Sequence, residues 1–230
     1  VGTIVDGRAT LAEIGAFLAA LASKGETVEE LVAAVRVLRA RAIKVRAVPP
    51  LVDLCGTGGD GVGNFNISTA ASFVVAAAGG RVAKHGNRAA SGSVGAADVL
   101  EASGARLELS ADRAAEAIDR LGFAFLFAPT FHPAVRNVAG PRREVGFRTV
   151  FNLTGPLCNP AGATRQLLGV FSPRWLEPMA KALVQLGCEH ALVVHGSDGS
   201  DEVTPTGPTR VIEVKDGATK AYDIDPSDFG

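Results

Sequence analysis

Five glycines fall within the eight residues Gly56-Thr57-Gly58-Gly59-Asp60-Gly61-Val62-Gly63, directly after the apolar run Leu51-Val52-Asp53-Leu54-Cys55. Glycine reaches backbone conformations closed to other residues, and its missing Cβ lets N–H groups approach a ligand closely. The loop continues through Asn64-Phe65-Asn66-Ile67-Ser68-Thr69 into an apolar helical stretch. A glycine-rich loop feeding a helix N-terminus is a cradle for phosphate or pyrophosphate, because free N–H groups and the helix dipole both favour an anion. Asn66, Ser68 and Thr69 add short polar groups to its rim, although Ser68 taken alone reads equally well as an N-cap.

Two familiar phosphate motifs do not fit. A P-loop ends in Gly-Lys-Ser/Thr, but no lysine lies between Lys44 and Lys84. The spacing of Gly56, Gly58 and Gly61 matches a dinucleotide fingerprint, yet that motif needs an acidic residue about 20 positions later. The next strand ends instead in Lys84-His85-Gly86-Asn87-Arg88, and a cation there points to a second phosphate contact rather than to NAD. Two such loops together imply a ligand with more than one phosphate.

The elements that hold these loops follow from periodicity. Thr10 with Glu13, and Thr27 with Glu30, make capping boxes ahead of amphipathic helices, the first ended by Gly25 and the second spanning residues 28 to about 43. After Pro49-Pro50 the pattern becomes alternating strands and helices, the signature of an α/β domain with a mainly parallel sheet. Strands are expected at 51–54, 81–83, 124–127, 167–171, 191–194 and 210–214, with a hairpin turn at Lys215-Asp216-Gly217 into 220–224. Helices are expected at 68–78, 95–103, 111–121, 133–145 and 173–186.

Composition narrows the function classes. The 230 residues carry 23 Lys+Arg against 24 Asp+Glu, a net charge of −1, so no overall basic footprint for nucleic acid is present. The longest apolar run, 70–78, is interrupted by Ser72 and falls far short of the roughly 20 residues of a membrane span. Cys55, Cys158 and Cys188 have neither the count nor the spacing of a disulfide framework or zinc site, and read as buried thiols of a reducing, cytoplasmic compartment. The chain opens on Val1, Met179 is its only methionine, and no helix closes it after Phe229-Gly230, so further residues are expected at both ends.

In its ordered set of motifs the chain closely resembles the anthranilate phosphoribosyltransferases, a tryptophan-pathway group related to the pyrimidine nucleoside phosphorylases. The motifs are Gly56 to Asp60, Asn66 to Thr69, Lys84 to Arg88, His132-Pro133, Arg142-Arg143-Glu144, Phe151-Asn152, Gly155 to Leu157, Asn159-Pro160 and Asp201-Glu202. The resemblance implies a small helical domain, 1–48, on a large α/β domain, 51–230, with part of 85–145 also packing on the helical part, and a homodimer formed through that part. It implies transfer of the phosphoribosyl group of 5-phosphoribosyl 1-diphosphate (PRPP) to the amino group of anthranilate, with Mg²⁺ carried on PRPP.

Residue roles follow from the same resemblance. Gly56 is placed where the two substrates meet, and Gly59, Asp60, Asn66, Ser68, Thr69 and Lys84 on PRPP. Asn64, Ile67, Gly86, Arg88, Ser91 and Gly92 complete the expected substrate-binding set. Asp60 suits loop orientation or a ribose hydroxyl better than phosphate contact. Asp201 and Glu202, which alone would read as solvated surface, become the expected magnesium pair with Ser68 as a further ligand. Asn87 and Arg142 are expected to position anthranilate, Arg142 by capturing its carboxylate. His85 and His132 line the same region, His132 serving either structure or contact.

The chemistry needs no nucleophilic side chain. Loss of pyrophosphate from C1 leaves an oxocarbenium-like centre, and an aniline-type nitrogen is already neutral near pH 7, so no strong general base is demanded. Asn64, Ala89, Gly92 and Ala96 depart from the usual residues, several of them hydroxyl-bearing, and predict weaker PRPP binding. Three other readings compete: a nucleoside phosphorylase-like enzyme, a non-catalytic nucleic-acid binder on the same scaffold, and an inactive fragment.

Overall fold

The computed structural model describes residues 1–63, 65–89 and 94–229. It opens with α1 (Gly2–Val5), α2 (Leu11–Lys24) and α3 (Val28–Arg41). The Glu13 N–H donates to Thr10 Oγ1 at 3.3 Å while the Thr10 N–H donates to Glu13 Oε2 at 2.8 Å. Thr27 and Glu30 repeat this reciprocal box at the start of α3. Each box satisfies amides that helix geometry leaves without partners. Leu31, Val35 and Leu38, spaced along one face of α3, are buried in the same cluster as Met179 and Leu183. Each such side chain contributes about 1.5–3 kcal/mol on burial, so the helical segment shares a continuous core with the rest of the molecule.

The remainder alternates strands and helices: β1 (Val52–Gly56), α4 (Ile67–Ala77), β2 (Val82–Gly86), α5 (Ala96–Ala102), α6 (Ala111–Leu121) and β3 (Phe123–Phe127). Then come α7 (Ala128–Phe131), α8 (Arg136–Val145), α9 (Val150–Thr154), β4 (Arg165–Gly169) and α10 (Leu176–Gln185). The chain finishes with β5 (His190–Gly196), β6 (Thr209–Lys215) and β7 (Ala218–Ile224). One sheet runs in the order β3-β2-β1-β4-β5-β6-β7. Its first five strands are parallel and β6 and β7 add as an antiparallel hairpin, giving the mainly parallel sheet expected. Asp216 and Gly217 both take positive φ, 50° and 77°, as a two-residue hairpin turn requires. Helix α8 packs against α1 and α2.

Several boundaries differ from expectation for physical reasons. Strand β2 continues to Gly86 rather than stopping at 83, because Lys84, His85 and Gly86 pair with the apolar residues Phe125, Leu126 and Phe127 of β3. Helix α4 starts at Ile67 with Asn66 in the capping position, so Ser68 lies inside the first turn and is not the N-cap. Pro133 and Pro173 each open a short 3₁₀ turn, delaying the α-helices to Arg136 and Leu176. Proline has no N–H to give and tolerates such first turns. The short helices α7 and α9 have too few residues to show a periodic pattern.

The chain steps from β1 to β2 to β3 in one direction and then returns to place β4 on the other side of β1. That reversal opens a crevice at the carboxyl ends of β1 and β4, where ligands bind in open α/β sheets.

Candidate active site

The glycine loop leaves β1 at this crevice. Gly56 and Gly169 are paired as the last residues of β1 and β4, and Asp201 lies directly over both. A Cβ on Gly169 would fall within the Asp201 carbonyl, and one on Gly56 would collide with its carboxylate. The Gly58 N–H donates to Asp201 Oδ2 at 2.7 Å. Asp60 accepts from the N–H groups of Val62 at 3.2 Å and Asp201 at 3.3 Å, tying the glycine loop to the Asp201-Glu202 loop. Asp198 stiffens that second loop by accepting from Ser200 N–H and Oγ and from Thr204 Oγ1 at 2.6–3.0 Å, which brings its carboxyl down to about 2.

The start of α4 forms the next wall. Thr69 is buried, and its Oγ1 has no protein partner among the described residues, an orphan polar atom beside the loop. Lys84 is almost wholly buried, and its Nζ donates to the Leu54 carbonyl and to Ser68 Oγ, the latter at 3.3 Å. Burial pushes the Lys84 ammonium down, opposed by the charges of Asp53 and Glu202. Burial, together with Asp201 and Asp60, raises the Glu202 carboxyl to about 7 against the lowering effect of Lys84 and the Ser68 N–H. Asp201 is raised in the same way, chiefly by burial. Partly desolvated carboxylates facing one cation form a site short of positive charge. Among the described residues no three His, Cys, Asp or Glu side chains form a closed metal cage. The adjacent carboxylates Asp201 and Glu202 are hard oxygen donors of the kind Mg²⁺ uses one or two at a time, with water and substrate phosphate completing its shell.

On the neighbouring side, His85 and His132 lie with ring centroids 5.0 Å apart. His85 Nδ1 faces the Gly155 carbonyl at 3.2 Å and His132 Nε2 the Cys158 carbonyl at 2.8 Å. Burial, aided by His132, pushes His85 down to about 3, so its ring is neutral, and its buried Nε2 has no protein partner among the described residues. Arg142 lies over the Phe151 ring at 5.6 Å and has no ion-pair partner among the described residues. Its guanidinium is available to a carboxylate. Asn87 is exposed, with Oδ1 accepting from the Arg88 N–H at 2.8 Å.

Not every expected residue converges. Arg88 turns to α5, where Asp98 and Glu101 hold it at 2.8 Å. Gly86 ends β2 against Phe125. Asn64, Ser91 and Gly92 lie outside the described residues. Arg143 and Glu144 are both exposed. The structure also adds residues that motif reading passed over. Arg148 stacks over Phe171 at 4.1 Å and donates to the Gly59 carbonyl, clasping the glycine loop from the far side. Thr57 Oγ1 accepts from the Phe171 N–H at 2.9 Å. Asp53 is buried, accepting from the His85 N–H and from Asn159 Nδ2. A cavity of about 520 Å³ lies elsewhere, on the α6 surface between Arg106, Leu109, Arg113 and Arg120. Its arginines 113 and 120 are paired with Glu116, which marks a solvated helix face.

Comparison with known proteins agrees with this fold. Residues 1–42 match the helical bundle domain, and residues 48–230 the a/b domain, of a glycosyl transferase family. The whole chain is 56% identical to the anthranilate phosphoribosyltransferase of Thioalkalivibrio sulfidiphilus, covering 68% of it. It is 55% identical to that of Rubrobacter xylanophilus, covering 99% of this chain and 67% of the relative. The crystal structure of the Thermus thermophilus enzyme superposes over the whole chain with a TM-score of 0.93 at 51% identity, and 68% of that structure is covered. The Saccharomyces cerevisiae enzyme in complex with PRPP and Mg superposes over the whole chain with a TM-score of 0.89 at 29% identity, 66% of it covered. The chain thus spans about two thirds of the length of these relatives. With both domain models matched in order and more than half of all residues shared with such enzymes, the chain belongs to the anthranilate phosphoribosyltransferase family.

Proposed function

We propose that the protein transfers the phosphoribosyl group of PRPP to the amino group of anthranilate, releasing pyrophosphate. The observation that carries this reading is the amide-rich glycine loop held against the Asp201-Glu202 loop over the ends of β1 and β4. The anthranilate nitrogen forms a bond to C1 as the bond from C1 to the pyrophosphate oxygen breaks. The leaving oxygen takes the departing electron pair, and the secondary ammonium formed at the nitrogen loses one proton to solvent, leaving the neutral secondary amine. Loop N–H groups, the α4 N-terminus and Lys84 meet the phosphate charge, and Thr69 Oγ1 supplies a further partner. Arg142 holds the anthranilate carboxylate, while Asn87, His85 and His132 fix the ring. The neutral His85 accepts a hydrogen bond through Nε2 without competing for the carboxylate.

Asp201 and Glu202, with Ser68 beside them, would hold Mg²⁺, which when bound offsets charge on the leaving pyrophosphate. The carboxylate pair distinguishes this function from a nucleic-acid binder, and Arg142 distinguishes it from a nucleoside phosphorylase, whose base carries no carboxylate.

We further propose that the helical segment, 1–48, acts as a domain and pairs with a second copy. An apolar groove of about 240 Å³ on it, lined by Phe17, Leu21, Ala33, Ala34 and Val37, supports this. Three unpaired thiols fit a cytoplasmic setting, and no helix among the described residues is long and apolar enough to cross a membrane. Mixing the protein with PRPP, Mg²⁺ and anthranilate should release one pyrophosphate per anthranilate consumed. Pyrophosphate release that is independent of anthranilate would contradict the transfer. Sedimentation should give twice the 23.6 kDa chain mass, and a monomer at micromolar concentration would refute the pairing.

A further inference from the structure

The Asn159-Pro160 motif has no role in the chemistry above, and Asp53 was not singled out by sequence, yet the two side chains meet beneath the site. Asp53 is fully buried on β1, and Asn159 is buried across from it. Strands β1 and β2 are in register at Val52 and Val82 alone, whereas β2 and β3 stay paired at five positions to Gly86. Beyond Val82 a side-chain pair takes the place of the ladder. Asp53 Oδ1 accepts the His85 N–H at 3.1 Å, and Asp53 Oδ2 accepts from Asn159 Nδ2 at 2.8 Å. Asn159 Nδ2 also donates to the Ala83 carbonyl at 2.7 Å, and its Oδ1 accepts the Ala161 N–H at 2.9 Å. The main chain of β2 is thus gripped on both sides of Lys84 by side chains from two other segments. The residue before Asn159, Cys158, supplies the carbonyl that holds His132.

We infer that Asp53 and Asn159 form a polar wedge between β1 and β2 that sets the position of His85, and through it the Asn87 turn, relative to His132 and the glycine loop. Both are positioning residues for the amine substrate and touch no substrate. A continuous ladder would have satisfied the same backbone groups without burying a carboxylate, which is costly unless fully hydrogen-bonded. Opening the strands gives the end of β2 a placement of its own, while Lys84 is separately held by Leu54 and Ser68. The wedge therefore acts on the anthranilate side more than on the PRPP side. This inference rests on the proposed function for its substrate but not for its geometry.

The test uses the whole chain with Asp53→Asn, which keeps shape but turns one acceptor into a donor facing donors, and with the milder Asn159→Ser. Each should raise KM for anthranilate about tenfold, the scale of one disturbed buried hydrogen bond, and Asn159→Ser, which leaves the Asp53 charge beside Lys84 in place, should change KM for PRPP by less than about twofold. Together the two should show less than the product of their separate effects, because they act on one contact. A fall in kcat with both KM values unchanged would mean lost active protein only and would overturn the inference. Amide hydrogen exchange provides a readout independent of turnover. In both variants the His85 amide should exchange at least tenfold faster relative to Val82 than in the wild type, and an unchanged ratio would overturn the wedge. Wild-type protein lacking turnover would refute the function while leaving the exchange ratio to decide on the wedge.

Discussion

Gly169→Ala is a one-methyl perturbation aimed at the magnesium loop from beneath. Gly169 is the last residue of β4, fixed by pairing to Gly56 on one side and Val194 on the other, so the strand itself has little freedom to yield. An added Cβ would occupy the place of the Asp201 carbonyl. To restore ordinary contact near 3.5 Å, the Asp201-Glu202 segment must lift by on the order of 2 Å. That movement breaks the Gly58-to-Asp201 hydrogen bond and carries both carboxylates away from the glycine loop. A misplacement of about 1 Å in a positioning group costs roughly 100-fold, so kcat/KM for PRPP should fall by at least that factor, about 2.7 kcal/mol in barrier. Overpacking also lowers stability, by about 1–3 kcal/mol. The assay is steady-state kinetics with PRPP varied at several Mg²⁺ concentrations, with thermal melting alongside to confirm folded protein. Gly140→Ala is the control, since a Cβ there meets nothing and the residue lies in α8. It should be neutral to stabilising by up to about 1 kcal/mol. Wild-type kinetics from folded Gly169→Ala would refute the claim that the carboxylate loop must rest on the β4 end.

Other outcomes follow from the same contacts. Arg148→Ala removes the clasp on Gly59 and should raise KM for PRPP several-fold, with Arg148→Lys intermediate because lysine cannot stack flat on Phe171. Thr10→Ala dissolves a capping box and should cost about 1 kcal/mol in chemical denaturation, with kinetics unchanged. His85, held neutral with its pKa lowered from 6.5 to about 3, binds its proton more readily in the unfolded chain. Its contribution to stability is therefore complete above pH 6.5 and declines as pH falls toward 3. Asp53, raised to about 6, slopes the opposite way above pH 3.8, so the comparison is wild type minus His85→Gln, which should show the acid loss attributed to His85. A difference independent of pH would contradict the burial of a neutral imidazole.

What could be read from sequence was local. Capping boxes, the glycine loop and the Asp216-Gly217 turn are each signalled within a few residues, and each forms as the spacing predicts. The extent of β2 is not legible locally, because Lys84 and His85 are polar and their place in the sheet depends on pairing with β3 about 40 residues later. Ser68 was a plausible cap until Asn66 took that position. The wedge and the Arg148 clasp join residues separated by 106 and 89 positions, so no spacing rule reveals them. Motif order points to the residues proposed to meet the substrates, while the groups that hold them in place emerge only from the fold.

The central claim is tested most directly by following anthranilate fluorescence when the 230-residue chain is mixed with PRPP and Mg²⁺, beside its Asp201→Asn/Glu202→Gln variant. The wild-type chain should consume anthranilate in a PRPP- and Mg²⁺-dependent manner, and the variant should be slower by at least about 100-fold at equal Mg²⁺, the scale expected when charge stabilisation of a leaving group is lost. Equal rates for the two proteins, or no consumption by folded wild type at high concentration, would contradict it.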